Sequence, residues 1–287
     1  MTNKIPTFSL DDFSEKKAVF YIETQNDIKT IPLHLPYRTE YYGFGIVVAG
    51  KGTFNVNLEN YQVQKGSILS IPPDAIKQWI NRSDDLKTIT IFFTNSFFSN
   101  YIQNKQRLDT LNFFQLHTKH IISLTQEKSS ILEKILYTIK DKLNSNHQFS
   151  NEIVANLLNV AFYEYTIFYK DQTTTKSTQL NRSEQIALEF KKLVSQNFIK
   201  ERGVKFYADQ LFISSKHLTE TISSETGKTA GEWITELVIL EAKILLQDSN
   251  LNIAQITNNL HFADQSTFGK FFKNITGFSP LAYRQTS

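Results

Sequence analysis

The sequence contains no cysteine, and it has no long apolar run. The lack of cysteine excludes disulfides, thiolate metal sites and thiol nucleophiles, and it fits a reducing compartment. No stretch approaches the roughly 18 apolar residues that span a bilayer. The segment MTNKIPTFSLDDFSEKK also lacks the apolar core of a signal peptide. We therefore expect a cytoplasmic protein with no membrane partner.

A strong charge of one sign is missing as well. The net charge is +3, and residues 184–287 hold 11 Lys and Arg against 11 Asp and Glu. Net charge alone therefore does not indicate nucleic-acid binding, so any such role must come from where particular side chains point. The sequence also lacks a G-x-S-x-G motif and a glycine-rich phosphate loop, and we expect no enzyme activity and no catalytic residue.

Residues from about 18 to 95 show the patterns of short strands. TFNVNL places Phe54, Val56 and Leu58 on one face by alternation, and KTITIFF alternates in the same way. Turn sequences separate the runs, among them AGKG at 49–52 and EN at 59–60. Several short strands at this spacing predict an antiparallel barrel or sandwich.

Two helices are predicted after residue 100. The first has apolar residues at helical spacing, namely Ile131, Ile135, Leu136, Ile139 and Leu143. The second, SNEIVANLLNVAFYEYTIFYK, is apolar on most sides and therefore needs partners on more than one side. It packs on the strands in one interpretation, and pairs partly with a second copy of the chain in the other.

The polar segment KDQTTTKSTQLNRS has no periodicity and is predicted to be a linker. We therefore divide the chain into a domain over 1–170, a linker over 171–183 and a helical domain over 184–287. The last domain is predicted to contain helices near 184–198, 204–211, 215–225, 230–247, 253–260, 264–275 and 280–284.

The segment DQSTFGKFFKNITG predicts a short, sharply bounded helix. Its buried face combines Phe268, Phe271, Phe272 and Ile275, which fall at i, i+3, i+4 and i+7. Asp264 is the expected N-cap and Gly277 the expected stop. Gly269 disfavours the helix by about 1 kcal/mol relative to alanine, which indicates a close approach there. With the preceding segment LNIAQITNNL, this helix completes a helix-turn-helix whose second member fits a DNA major groove.

The same pattern occurs twice. Residues 213–234, ISSKHLTETISSETGKTAGEWI, align with residues 263–284, ADQSTFGKFFKNITGFSPLAYR, at a spacing of 50. VKFYADQL takes the place of LNIAQITNNL, and the helix GEWITELVILEAKILLQ joins the two units. If this rod holds the two recognition helices about 34 Å apart, they enter successive major grooves on one DNA face.

These residues resemble the C-terminal signature of AraC/XylS transcription regulators, and the segment VVAGKGTFNVNLENYQVQKGSILSIPPDAIKQW is similar in architecture to a cupin-type sensing domain. The resemblance implies an α+β protein with an antiparallel, cupin-like β-barrel and helical hairpin followed by an all-α double helix-turn-helix domain. It implies a sequence-specific regulator, expected to be an activator, with promoter DNA, RNA polymerase, a small-molecule effector and a second copy of the chain as partners. A metal-dependent cupin enzyme with an accessory helical domain is one alternative, and a regulator whose first unit binds a protein partner instead of DNA is another.

The resemblance also implies the DNA-contacting residues. The first recognition helix would present Ser215, Lys216, Thr219 and Glu220, and the second Gln265, Ser266, Thr267 and Lys270. Gln265 pairs with adenine, Lys270 with guanine or phosphate, and Glu220 accepts only from cytosine N4 or adenine N6. Lys273 and Arg284 are expected to contact phosphates. His261 stands where the family usually has a turn glycine, and Val238 where an arginine is common.

We expect the effector site in the N-terminal barrel. The expected effector-binding residues are Arg38, Tyr42, Phe44 and Trp79, and Arg38 with Lys77 could hold an anionic effector if both point inward. The β-rich segment contains a single histidine, His34. Metal-binding cupins cluster several histidines with a carboxylate, so we expect no metal and no cofactor.

Overall fold

The fold comes from a computed structural model, which describes residues 18–23, 33–102, 108, 111–115, 118–145, 147–174 and 181–286. The chain divides into two compact units between residues 178 and 179. This division lies within the predicted 171–183 linker. A helix continues to Thr174 and the next begins at Arg182, whereas 175–180 lie outside the described residues.

The first unit contains two antiparallel sheets. Its strands are β1 (Val19–Glu23), β2 (Tyr42–Ala49), β3 (Lys51–Val56), β4 (Glu59–Gln64), β5 (Ser67–Ile71), β6 (Lys77–Arg82), β7 (Lys87–Phe93) and β8 (Ile121–Ser123). One sheet has the order β1-β7-β2-β5-β8 and the other β4-β3-β6. Among the described strands, backbone ladders do not close the two sheets into a barrel. The predicted α+β class is confirmed.

The β3–β4 hairpin shows why the predicted strand, which ran to Leu58, was two residues too long. Asn57 and Leu58 form a two-residue loop with φ of 47° and 72°. Positive φ at both positions is typical of the tight turn that matches strand twist. Leu58 therefore lies beyond β3, and the turn predicted at 59–60 is at 57–58. Phe54 and Val56 are buried as predicted.

The five-stranded sheet has a core on each face. Between the sheets lie Val47, Phe54, Val56, Leu69 and Trp79. The other face of this sheet packs against three helices, α1 (Asn95–Tyr101), α2 (Gln126–Asn144) and α3 (Ser150–Thr174). The predicted helical hairpin, α2 with α3, is confirmed.

The two hairpin helices bury narrower stripes than their sequences predict. On α2 the buried residues include Leu132, Leu136 and Ile139, whereas Ile131 is exposed. On α3, Val154, Leu158 and Phe162 are buried among residues contributed by the sheet. A second apolar stripe of α3 is exposed within this chain, and it consists of Val160, Tyr163 and Ile167.

The second unit is helical throughout its described part. Its helices are α4 (Arg182–Asn197), α5 (Val204–Gln210), α6 (Ser215–Thr226), α7 (Ala230–Gln247), α8 (Ile253–Asn259), α9 (Gln265–Thr276) and α10 (Pro280–Thr286). All seven agree with the predicted helices to within two residues. In the described residues of both units, no helix is both long and apolar enough to cross a membrane.

Candidate DNA-binding surface

The two helix-turn-helix units anchor their second helices in the same way. Leu218 and Ile222 on α6 are fully buried, as are Phe268 and Phe272 on α9. Each pair has a spacing of four residues, which places both side chains on one face of a helix. The opposite face of each helix is thereby turned away from the core. The predicted 50-residue correspondence therefore holds for these anchors.

The ends of α6 and α9 are built from equivalent residues. Ser214 and Asp264 are the N-caps, and their side chains accept hydrogen bonds from the amides of His217 and Thr267. The hydrogen bonds from the backbone and side chain of Thr267 hold the pKa of the exposed Asp264 carboxyl below its ordinary value. Gly227 and Gly277 end the two helices with φ of 76° and 80°.

A threonine closes each helix at the same position. The Thr226 hydroxyl contacts the carbonyl oxygens of Ile222 and Lys228, at 2.7 and 3.1 Å. The Thr276 hydroxyl contacts those of Phe272 and Phe278, at 2.8 and 3.2 Å. Both helices therefore have the same length, and they begin and end at equivalent residues.

The turns of the two units differ in length. Four residues separate α5 from α6, and five separate α8 from α9. The offset between the units is therefore 49 before the turn and 50 after it. Phe212 and His261 occupy the left-handed position, with φ of 55° and 52°. From the sequence, this conformation was expected at His261 only. The two units were aligned with an offset of 50 residues, whereas an offset of 49 is needed to pair Phe212 with His261.

The outer face of α9 carries the predicted polar residues. Gln265, Ser266, Thr267, Lys270 and Lys273 are all exposed. A Cβ atom added to Gly269 would meet nothing within 4 Å, so this part of the helix surface is a notch. Ile275 departs from the prediction, since it is 45% exposed and does not extend the buried face.

The outer face of α6 is less basic. Ser215 and Thr219 are half-buried, and the Thr219 hydroxyl donates to the Ser215 carbonyl at 2.8 Å. Lys216 lies 3.9 Å from Glu220 in an exposed ion pair. Over its length α6 sets one lysine against Glu220 and Glu225, whereas α9 has two lysines and no acid. Attraction to phosphate is therefore concentrated on α9.

Arg284 has a structural contact that the sequence did not predict. Its Nε donates to the Leu246 carbonyl at 3.0 Å and its Nη2 to that of Asp248 at 3.4 Å. These carbonyls lie at the C-terminal end of α7, where helix carbonyls lack partners within the helix. Arg284 thus ties α10 to α7, and its phosphate contact stays a prediction. Val238 on α7 is fully buried.

The structure does not bring the four predicted effector residues together. Phe44 contacts Phe162 and Tyr165 on α3, with ring centroids 5.3 Å apart in each pair, and Tyr42 belongs to the same sheet–helix core. Trp79 packs on Phe54 between the sheets. Arg38 is half-buried.

Lys77 is a buried cation of the first unit. It lies two residues before Trp79 on β6, on the same face of the strand, and is 3% exposed. Its Nζ donates to the Thr39 hydroxyl at 2.8 Å and lies 5.4 Å from the Tyr37 ring centroid. Burial lowers the pKa of Lys77 to about 7, with Asp74 opposing and Arg38 adding to the shift.

Metal-binding groups do not gather in the part of the chain that the structure describes. There, no three His, Cys, Asp or Glu side chains come close enough to hold a metal ion together.

Two family models match the chain. A helix-turn-helix domain model matches residues 207–286, which include both recognition helices. An AraC-like ligand binding domain model matches residues 32–158, which include strands β2 to β8, α1, α2 and the beginning of α3.

Relatives match over different lengths. The transcriptional activator RhaS of Mannheimia succiniciproducens is 22% identical over 279 residues, covering 96% of this chain and 97% of that protein. The Msm operon regulatory protein of Streptococcus mutans is 22% identical over 250 residues, or 85% and 84% of the two chains. Among solved structures, ToxT from Vibrio cholerae matches at 15% identity and a TM-score of 0.40, covering 93% of this chain and 98% of that one.

An AraC-like ligand binding domain thus precedes two helix-turn-helix units with matching anchors and caps. The protein is a DNA-binding transcription regulator controlled by an effector, and not an enzyme. The chain belongs to the AraC/XylS family of transcriptional regulators.

Proposed function

We propose that α6 and α9 enter successive major grooves on one face of promoter DNA and read two half-sites. The observation that supports this most directly is the repetition of caps, anchors and exposed faces in the two units. Both reading helices have the same length, and α7 joins their units. Because its target is chromosomal DNA, we propose that the protein is cytoplasmic.

The proposed base contacts are concentrated on α9. Gln265 reads adenine, and Lys270 reads guanine or pairs with a phosphate. Ser266 and Thr267 contribute shorter hydrogen bonds from the same exposed face, and Lys273 contacts a phosphate. On α6, the carboxylate of Glu220 accepts from cytosine N4 or adenine N6, which makes the first half-site narrow in sequence.

Substitution of Lys270 tests this proposal. The full-length protein would be used to select an operator from a random DNA library, and binding would be measured across a salt series. We expect Lys270→Ala to reduce the salt slope by about one and to weaken operator binding about tenfold. Lys200→Ala removes the same charge from an exposed position outside both reading helices and is the control. Unchanged binding of Lys270→Ala would contradict a reading role for α9.

We propose that the effector carries an anionic group and binds near Lys77 and Arg38. Support comes from the buried Lys77 ammonium, which has a threonine hydroxyl and a tyrosine ring as neighbours and, among the described residues, no carboxylate within ion-pair distance. An ammonium buried without a counter-charge is unfavourable, and a bound anion would relieve this.

We propose that the DNA-bound protein activates transcription through contact with RNA polymerase. RhaS of Mannheimia succiniciproducens is named a transcriptional activator, and its similarity extends over nearly all of this chain. Transcription in vitro from a promoter carrying the selected operator would rise on adding the protein. A fall in transcription would indicate repression instead.

We also propose that the exposed stripe of α3 pairs with the same stripe of a second copy. Val160, Tyr163 and Ile167 recur at spacings of three and four residues and are about half exposed within this chain. Apolar side chains repeating in this way are typical of helices that pack on another helix. Such a dimer would present four recognition helices to DNA.

A further inference from the structure

The loop between α4 and α5 contacts the second helix-turn-helix unit through Arg202. One guanidinium nitrogen, Nη2, donates to the Leu260 carbonyl and to the Ile199 carbonyl, the latter at 3.3 Å. The guanidinium carbon lies 3.6 Å from the centroid of the Phe262 ring. Arg202 therefore combines a hydrogen bond with stacking on an aromatic face, which a planar guanidinium can do and an ammonium cannot.

Both contacts are made at the turn that sets the direction of α9. Leu260 is the C-cap of α8, and its carbonyl is one of those that lack a partner within the helix. His261, the next residue, has the left-handed backbone conformation. Phe262 packs on Phe268 and Phe271 of α9, with ring centroids 5.3 and 5.1 Å apart.

The same loop is fixed to the first helix-turn-helix unit. The hydroxyl of Tyr207, a fully buried residue of α5, donates to the Glu201 carbonyl at 2.6 Å. Glu201 immediately precedes Arg202. A continuous path thus leads from α5 through Tyr207, Glu201 and Arg202 to the turn before α9, and it is separate from the covalent path through α7.

We propose that Arg202 is a positioning residue that fixes the second recognition helix relative to the first and so sets the spacing of the half-sites that the protein accepts. This inference rests on the proposed reading of two half-sites. We call the contacts of Arg202, together with the bond from Tyr207 to Glu201, the bridge. With the bridge in place, the two recognition helices keep a fixed spacing. When one helix binds its half-site, the other already faces the second half-site, so less conformational freedom is lost on binding it. Without the bridge, the covalent connection through α7 would remain.

The test uses full-length Arg202→Met, which keeps a long apolar stem against Phe262 but removes the charge and the donors. Its affinity would be measured for the operator selected by wild type, for the same operator with the α6 half-site randomised, and for operators whose half-sites are moved apart by half a helical turn, about five base pairs. Arg182→Met, which removes an exposed arginine at the start of α4, controls for lost charge.

We expect Arg202→Met to bind the full operator about tenfold more weakly than wild type. We also expect it to bind the α9 half-site alone like wild type, and to lose less affinity than wild type when the spacing changes. Arg182→Met should keep the spacing dependence of wild type. Equal losses on the full operator and on the α9 half-site would show that Arg202 only supports the second turn, and they would overturn the proposal, as would no loss on either DNA.

Tyr207→Phe tests the bridge from its other end, and it serves as the second variant if Arg202→Met does not fold. It should relax the spacing dependence in the same direction, and the double variant should add little to Arg202→Met, since both act through one loop. Full additivity in the double variant would contradict a shared path. If wild type selected no DNA sequence at all, the proposed function would fail, which is a different result from loss of spacing dependence alone.

Discussion

At the scale of single residues, Lys77 is an ionisable group whose burial changes the pH dependence of stability. Its pKa is lowered to about 7 in the folded protein by burial, from an ordinary value of 10.5. Between these values the unfolded chain binds more protons than the folded one, so stability rises with pH across this window. Below about pH 7 Lys77 is charged in both states, so the full free-energy cost of burying its charge lowers the stability of the fold.

Replacing Lys77 with Met should therefore stabilise the protein at pH 7 by about 1–3 kcal/mol. The gain should shrink as the pH is raised toward 9, because wild-type Lys77 is increasingly neutral there. Urea unfolding of both proteins at several pH values measures this, and the difference between them isolates Lys77 from other titrating groups. Parallel pH profiles for the two proteins would contradict the shifted pKa.

Substitution of Gly269 should change the stability of the protein and its affinity for the operator in opposite directions. Because a Cβ atom there meets nothing in the protein, Gly269→Ala should raise stability by about 1 kcal/mol through helix propensity. The same methyl group would fill the notch beside Gln265 and Lys273, so operator binding should weaken. Thermal unfolding and operator affinity measure the two effects.

Thr138→Ala is the matched control for this prediction. It replaces another poor helix former, at an exposed position of α2 outside both helix-turn-helix units. It should stabilise the protein and leave operator affinity unchanged. A Gly269→Ala variant that bound the operator as tightly as wild type would show that DNA does not enter the notch.

At the scale of elements, α3 presents two apolar stripes, one buried in the core and one about half exposed within the chain. Replacing Val160 and Ile167 with Glu should convert a dimer into a monomer, because carboxylates on both partners would be buried against apolar groups. Sedimentation of the full-length protein measures the mass directly. Thr138→Glu, at an exposed position of α2, should leave the mass unchanged. A wild-type protein that stays monomeric at micromolar concentration would contradict pairing through α3.

Helix bounds in the second unit could be predicted because their signals are local. Ser214, Asp264, Gly227 and Gly277 each act within one turn of the helix end that they set. Leu218, Ile222, Phe268 and Phe272 repeat with the helical period, and all four are buried. Propensity, capping and periodicity agree in this unit.

Features that depend on distant parts of the chain were not predicted. The partner of Arg284 is the end of α7, 36 to 38 residues earlier in sequence, and that of Arg202 lies 58 residues later. The exposure of Ile131 and Ile275 follows from which neighbours cover a helix, and helical spacing does not determine this. Likewise, alternation predicted strands over residues of about 18 to 95, but it did not predict β8, which pairs with β5 far earlier in the chain. Whether Phe44 faces a helix or the second sheet also depends on how the sheets pack.

At the scale of the whole molecule, the central claim is that both helix-turn-helix units read DNA together. The acidic balance of α6, one lysine against two glutamates, makes this the point most open to test, because α9 alone could bind one groove. Hydroxyl-radical footprinting of the full-length protein on its selected operator examines it directly. The account predicts two protected patches on one face of the duplex, about 10–10.5 base pairs apart. A single protected patch, or two patches on opposite faces, would contradict it.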